Sequence, residues 1–156
     1  MKKFELHGNA ASLIFHEGTG EYRIATSSFL LAGCKPLLRL NGKEVSFGHW
    51  SVTEHTKNSM VASAKGNAGN WTLEFRFAAG DALTLRLSGC LKKVCDDVEL
   101  LYFDGLKMKA DHLLSQGIKM GGCAAIPLDK GTKKDFYGAM QLLVTENGEQ
   151  LRLSYP

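Results

Sequence analysis

The densest group of side chains that could do chemistry lies near residue 50, where His49 and His55 flank Trp50 and Glu54. An indole can stack on the apolar face of a sugar ring, and an imidazole can bond the ring hydroxyls. His49 and Trp50 are therefore candidate ligand contacts, paired in a loop. The favoured alternative is that Trp50 closes the hydrophobic core where a strand ends, with both histidines in solvent.

Carboxylates are the only side chains of the chain that could serve as catalytic acids. Asp96, Asp97 and Glu99 lie together at the start of a predicted strand, and Asp104 and Asp111 follow. A glycosidase needs two carboxylates on either side of the scissile bond, which spacing alone does not establish. Acidic residues beside strand ends are usually solvated turn residues, so we assign no catalytic residue.

The cysteines and glycines do not form a known cofactor motif. Cys90 and Cys95 have four residues between them, a spacing that a zinc knuckle allows, but only Cys34, Cys123 and scattered histidines could complete the site. There is no P-loop, no dinucleotide-binding fingerprint and no nucleophile elbow. We predict no metal, no cofactor, and free thiols that are mostly buried.

Charge and hydropathy exclude two classes of partner. The 19 Lys and Arg residues against 16 Asp and Glu give a net charge of +3, and no run of basic residues exceeds two, which argues against nucleic acid. No segment approaches the roughly 18 apolar residues of a membrane helix. Glu5 and His7 interrupt any apolar stretch after the first lysines, so we expect no secretion signal and a cytoplasmic protein.

The elements that must position these residues are β-strands. Residues 71–77 and 83–87 alternate between apolar and polar side chains, and a five-residue turn joins them. Only one register places both apolar rows on one face and opposite charges on the other. That register pairs Phe77 with Leu83, Phe75 with Leu85, Leu73 with Leu87 and Glu74 with Arg86.

Two further hairpins are predicted around Asn-Gly pairs, because both residues tolerate the positive φ of a type I′ turn. Around Asn41-Gly42, the predicted pairs are Leu38 with Val45 and Arg39 with Glu44. Around Asn147-Gly148, they are Val144 with Leu151, Leu142 with Leu153 and Glu146 with Glu149.

Weaker strands are predicted at residues 4–7, 13–16, 21–26, 60–64 and 98–103, and the best helical candidate, residues 111–117, spans barely two turns. About ten or more short strands and little helix indicate an all-β fold, an antiparallel β-sandwich. The length of 156 residues fits a single domain over residues 1–156.

Residues 111–123 fit neither a good strand nor a good helix. Gly117, Gly121 and Gly122 place three of the 17 glycines within six residues, which indicates special backbone dihedrals or close approach to another surface. The segment is either a tight loop between two sheets or a rim that contacts a ligand or a neighbouring domain.

The run of short strands that leads into this Gly-rich stretch, Leu-Ser-Gln-Gly-Ile-Lys-Met-Gly-Gly at residues 114–122, resembles a known family. It is similar to the N-terminal β-supersandwich domain of α-galactosidase and raffinose-synthase-type glycoside hydrolases (family 36). The resemblance implies a supersandwich-like fold, followed by a catalytic (β/α) barrel and a small C-terminal β-domain. It also implies that Gln116, Lys119 and Met120 face the substrate or the barrel.

On this interpretation the chain is a non-catalytic part of a longer enzyme. Its partners are its own catalytic barrel and, through the active-site mouth, carbohydrate. Two alternatives stay open: a stand-alone module that binds carbohydrate or another small ligand through His49 and Trp50, and a purely structural or oligomerising sandwich. Because sandwich folds host many unrelated functions, the fold alone does not decide among them.

Overall fold

The structure is a computed structural model that describes residues 1–26, 30–79, 82–104, 112–116, 123–127, 140–144 and 150–154. These residues form an all-β fold of antiparallel strands with no α-helix among them, which confirms the predicted fold class. The strands in chain order are β1 (Lys3–His7), β2 (Ala11–His16), β3 (Tyr22–Thr26), β4 (Leu30–Leu40), β5 (Lys43–Val45), β6 (His49–His55), β7 (Ser59–Lys65), β8 (Gly69–Phe77), β9 (Leu83–Leu91), β10 (Val98–Asp104), β11 (His112–Gln116), β12 (Cys123–Pro127), β13 (Met140–Val144) and β14 (Gln150–Ser154).

The chain separates into two compact units, Met1–Met108 and Lys109–Pro156. The first unit holds a six-stranded sheet of order β1-β2-β3-β4-β10, with β5 also on β4, and a four-stranded sheet of order β6-β7-β8-β9. The second unit holds a four-stranded sheet of order β12-β11-β13-β14. The single domain predicted over residues 1–156 stays a prediction.

The hairpin of β8 and β9 has the register that the sequence predicts. Phe77 pairs with Leu83, Phe75 with Leu85, Leu73 with Leu87 and Glu74 with Arg86. The apolar row of β8 is buried, whereas Arg76 on the other face is exposed. Alternation of period two therefore sets both the pairing and the inward face of this sheet.

The Asn41-Gly42 hairpin is also confirmed. Leu38 pairs with Val45 and Arg39 with Glu44. Asn41 has φ of 50° and Gly42 has φ of 73°, which are the left-handed conformations that a type I′ turn requires at both central positions. The five weaker strands predicted in the first unit are present as β1, β2, β3, β7 and β10.

Strand β4 is longer than predicted and carries a proline. Its register with β10 shifts between Leu101, which pairs with Leu37, and Asp104, which pairs with Lys35. Pro36 lies at this irregularity. Proline lacks the N–H that a regular ladder uses, so it is tolerated where the pairing is already broken.

The two sheets of the first unit pack face to face through aromatic side chains. Phe75 of β8 lies 6.0 Å from Phe15 and 5.0 Å from Tyr22, measured between ring centroids. These side chains are essentially inaccessible to solvent. The first unit is therefore a sandwich whose core is built from the inward rows of both sheets. The other buried apolar residues are Leu6, Leu13, Cys34, Leu37, Leu38, Phe47, Trp50, Met60, Ala62, Ala64, Trp71, Leu73, Phe77 and Leu87.

A second junction links the β2–β3 turn to the start of β6. Gly18 forms an isolated antiparallel bridge with Trp50, with N–H···O distances of 2.8 and 3.2 Å in the two directions. A bulge in β6 lies between Val52 and Glu54, and there the N–H of Val52 donates to the Glu17 carboxylate at 3.0 Å. The turn thus caps the edge of β6 with both backbone and side-chain hydrogen bonds.

In the second unit the register predicted for the last hairpin is wrong by one residue. Leu143 pairs with Leu151 and Val144 with Gln150, instead of Val144 with Leu151. Strand β13 also pairs with β11, and the observed register aligns four aliphatic residues across the sheet. Those residues are Ile126, Leu113, Leu143 and Leu151. Residues 145–149, with the predicted Glu146–Glu149 pair and the Asn147-Gly148 turn, lie outside the described residues.

The interpretation of residues 111–123 as neither strand nor helix is wrong at both ends. His112–Gln116 forms β11, in place of the weak helical candidate, and Cys123 begins β12. Gln116 pairs with Cys123. A central position in the sheet, between β12 and β13, overrides the weak local pattern of a five-residue strand.

Replacement of Gly20 by alanine should destabilise the first unit more than the same change at Gly42. Both glycines have φ of +73°, so both variants incur the cost of a left-handed alanine, about 1 kcal/mol. A Cβ at Gly20 would overlap Cδ1 of the Trp50 indole, whereas nothing lies within 4 Å of one at Gly42. Overpacking adds about 1–3 kcal/mol at Gly20. Urea unfolding measures both losses, and equal losses would contradict the packing of Gly20 on Trp50.

Candidate functional site

The predicted His49–Trp50 pair lies on strand β6 and not in a loop. Trp50 is 1% exposed and packs against Phe47, with ring centroids 5.4 Å apart. Its indole therefore presents no face on which a sugar ring could stack in this structure. The burial agrees with the alternative in which Trp50 closes the core. His49 is exposed, on the outward side of the strand.

The other side chains of that cluster do not converge with His49. His55 at the far end of β6 bonds through Nε2 to the backbone carbonyl of Glu5 at 2.9 Å. Its ring lies edge-on to Phe4, with centroids 5.3 Å apart. His55 therefore links β6 to β1 of the other sheet, which is a structural role.

Near position 97, the Glu99 carboxylate and the Asp97 backbone have structural roles. The Glu99 carboxylate accepts a hydrogen bond from the Arg39 guanidinium at 3.0 Å, across the β4–β10 pairing. The backbone N–H of Asp97 donates to Asn41 Oδ1 at 3.2 Å, and the N–H of Asn41 donates to the Asp97 carbonyl at 3.0 Å. These contacts anchor the Asn41 turn to the start of β10.

The family resemblance implies that one segment faces the substrate or the barrel. The structure describes only part of that segment. Gln116 is the last residue of β11. Lys119 and Met120 lie outside the described residues. Their proposed role stays a prediction.

The thiols differ in exposure. Cys34 is buried, Cys95 is half-buried and Cys90 is exposed; all three are free. The expectation of burial is wrong for Cys90, which lies on β9 in the outward row with Arg86 and Ser88. Among the side chains that the structure describes, no three of His, Cys, Asp or Glu come together as a metal site.

Cys34 sits beside Tyr22, its partner in the register of β3 and β4. Burial, and then the neighbouring Glu21 carboxylate, raise the pKa of the Cys34 thiol to about 11. Burial, with a smaller contribution from Cys34, also raises the pKa of Tyr22. Both groups stay neutral at physiological pH, so this pair is core and not a reactive centre.

A polar cleft of about 640 Å³ opens at one end of the sandwich, and none of the residues that the sequence marks as candidate ligand contacts lines it. Three separate segments line it: the β1–β2 turn, the β6–β7 turn and the chain after β8. The lining residues are His7, Gly8, Asn9, Lys57, Asn58, Arg76, Phe77, Ala78 and Ala79. The sequence carries no motif for this cleft, because its basic residues are separated by 50 and 19 positions.

Comparison of the chain with protein-family models, with curated proteins and with solved structures finds no match. In the part of the chain that the structure describes, there is no helix with the length and apolar character needed to cross a membrane.

Alkylation should separate Cys34 from Cys90 in the native protein. The buried Cys34 thiol, with its raised pKa, should react with iodoacetamide at pH 8 at least tenfold more slowly than the exposed Cys90. Peptide mass spectrometry after timed labelling gives both rates. In concentrated urea the two rates should converge. Equal rates in the folded protein would show that Cys34 is accessible.

Stability should fall in alkaline solution because of Cys34. Below the ordinary thiol pKa of 9.0 the group is neutral in both states. Between pH 9 and about 11 the unfolded chain loses the proton and the folded chain keeps it, so the free energy of unfolding decreases. The slope approaches about 1.4 kcal/mol per pH unit for one group.

Urea unfolding under reducing conditions at pH 8, 8.5, 9 and 9.5 measures this slope below the ordinary pKa of 10.0 at which the Tyr22 phenol of the unfolded chain ionises. Cys34→Ala should flatten it, and Cys90→Ala should leave it unchanged. An unaltered slope in Cys34→Ala would assign the effect to another group.

Proposed function

We propose that the chain is a non-catalytic N-terminal β-sandwich domain of an α-galactosidase-like glycoside hydrolase, which packs on the catalytic (β/α) barrel of the same protein. The observation that carries the proposal is the architecture of the described residues: short antiparallel strands throughout, as the family resemblance implies. The Gly-rich stretch after β11 supplies the resemblance itself.

The placement of polar groups supports a role outside the chemical step. Glu99 is paired with Arg39, and His55 bonds a neighbouring strand. In this proposal the carboxylates that cleave the glycosidic bond belong to the barrel, and Gln116, Lys119 and Met120 border its mouth. The unpaired thiols of Cys34, Cys90 and Cys95 support a cytoplasmic location, where disulfides are rare.

A second candidate is a stand-alone ligand-binding module. The polar cleft favours it, because basic residues and two asparagines line a volume typical of small-molecule sites. This candidate needs no barrel, and it predicts that the isolated chain binds a ligand.

The experiment compares this chain with the product of its complete coding region. The complete product should hydrolyse p-nitrophenyl α-galactoside, whereas the 156-residue chain alone should not, because the catalytic groups lie in the barrel. The β-anomer of the same substrate is the control for non-specific hydrolysis. A coding region that ends at residue 156, with no barrel encoded beside it, would contradict the proposal. So would full activity in the chain alone.

A further inference from the structure

The walls of the polar cleft are held in place by backbone hydrogen bonds. The N–H of His7, at the end of β1, donates to the carbonyl of Lys57 at 2.8 Å. The N–H of Phe77, at the end of β8, donates to the carbonyl of Asn58, also at 2.8 Å. The β6–β7 turn is thus tied to both sheets, and the cleft exists before any ligand enters it.

The charged residues that line the cleft, Lys57 and Arg76, are both basic. None of its described lining residues is acidic. One described carboxylate contacts a lining residue: Oε2 of Glu5 lies 3.8 Å from Nε2 of His7. Lys57 and Arg76 have no ion pair with any described residue.

The position of Arg76 explains why its charge is not neutralised. It lies on the outward face of β8, and its cross-strand neighbours are Ser59 and Thr84, both uncharged. One step back along the same face, Glu74 stands opposite Arg86. This sheet thus contains an acidic residue opposite a basic one. Its end beside the cleft has no acidic residue opposite Arg76 among the described residues.

The chemistry of these groups selects an anion with hydroxyl groups. A guanidinium binds a carboxylate or a phosphate through two parallel hydrogen bonds, and an ammonium adds a point charge. The Asn58 carboxamide accepts a hydrogen bond from Thr56 Oγ1 at 3.2 Å, and its amino group suits a hydroxyl oxygen. Buried Phe77 borders the same space. A volume of about 640 Å³ is large for an inorganic ion and fits a molecule of sugar size.

We propose that the polar cleft binds a small polyhydroxylated molecule that carries a carboxylate or a phosphate, held by Arg76 and Lys57. This proposal does not depend on the glycoside hydrolase assignment, because the cleft lies wholly within the first unit.

The test titrates the purified chain with galacturonate, galactose 6-phosphate and neutral galactose, by calorimetry and by NMR chemical shifts. At least one of the two anionic sugars should bind with a Kd of about 1 mM or tighter, and neutral galactose at least tenfold more weakly. The comparison of the two anions tells a carboxylate from a phosphate. Binding should weaken as salt is added, since the charges are exposed.

The variant Arg76→Gln with Lys57→Gln should weaken anion binding at least tenfold. The matched control is Arg23→Gln with Lys65→Gln, which removes the same charge from exposed strand positions outside the cleft and should leave binding unchanged. Circular dichroism and thermal melts verify that both double variants fold.

Three results would overturn the proposal: no binding of either anion at about 10 mM, equal binding of neutral galactose, or an equal loss in the control variant. If the cleft variant alone fails to fold, the single variant Lys57→Gln in the β6–β7 turn replaces it, with Lys65→Gln as control. A lack of α-galactosidase activity in the complete product would leave these results unaffected.

Discussion

The packing of Phe75 against Phe15 and Tyr22 is the contact on which the first unit depends. Each sheet has one apolar face, and exposing either face to water would lower the free energy of unfolding. The three aromatic rings bring these faces together near the middle of the sandwich. The turns at its ends, including those that border the polar cleft, then take their positions from strands whose separation the core has fixed.

Trp50, the aromatic residue that the sequence marks as a candidate ligand contact, belongs to this same core. Trp50 lies beside histidines, yet it is almost completely buried. Phe47 packs against its indole, and Gly20 has no Cβ that would overlap the indole. The residues that line the polar cleft are instead mostly polar or basic and lie in turns and at strand ends. In this sandwich the apolar side chains build the frame.

The sequence predicts the register of a hairpin well where apolar and polar residues alternate strictly, and poorly where they do not. The β8–β9 register follows from two rows of residues within one hairpin, because apolar alternation and the Glu74–Arg86 pair select the same alignment. In the last hairpin Leu142, Leu143 and Val144 are consecutive apolar residues, so alternation does not select one register. There β13 also pairs with β11, and Leu113 lies opposite Leu143. A slip of one residue changes the face of every side chain.

The candidate sites show the same limit. Residue type marks His49 and Trp50, but burial, which decides whether an indole can meet a ligand, is a property of the packed sandwich. The cleft residues His7, Lys57 and Arg76 come from three turns and strand ends of two sheets. Spacing along the chain does not bring them together. The backbone hydrogen bonds of the β6–β7 turn to the ends of β1 and β8 do.

Strand β4 imposes an order on how the chain can assemble. Its pairing with β10 joins Arg39 to Glu99, 60 residues away, whereas the other described pairings of the first unit join consecutive strands. All four strands of the second sheet lie between these two partners in the chain. Closing so long a loop costs conformational entropy that consecutive hairpins avoid. Folding of β6–β9 first shortens the effective loop, so we expect the β4–β10 pairing, which completes the first sheet, to form late.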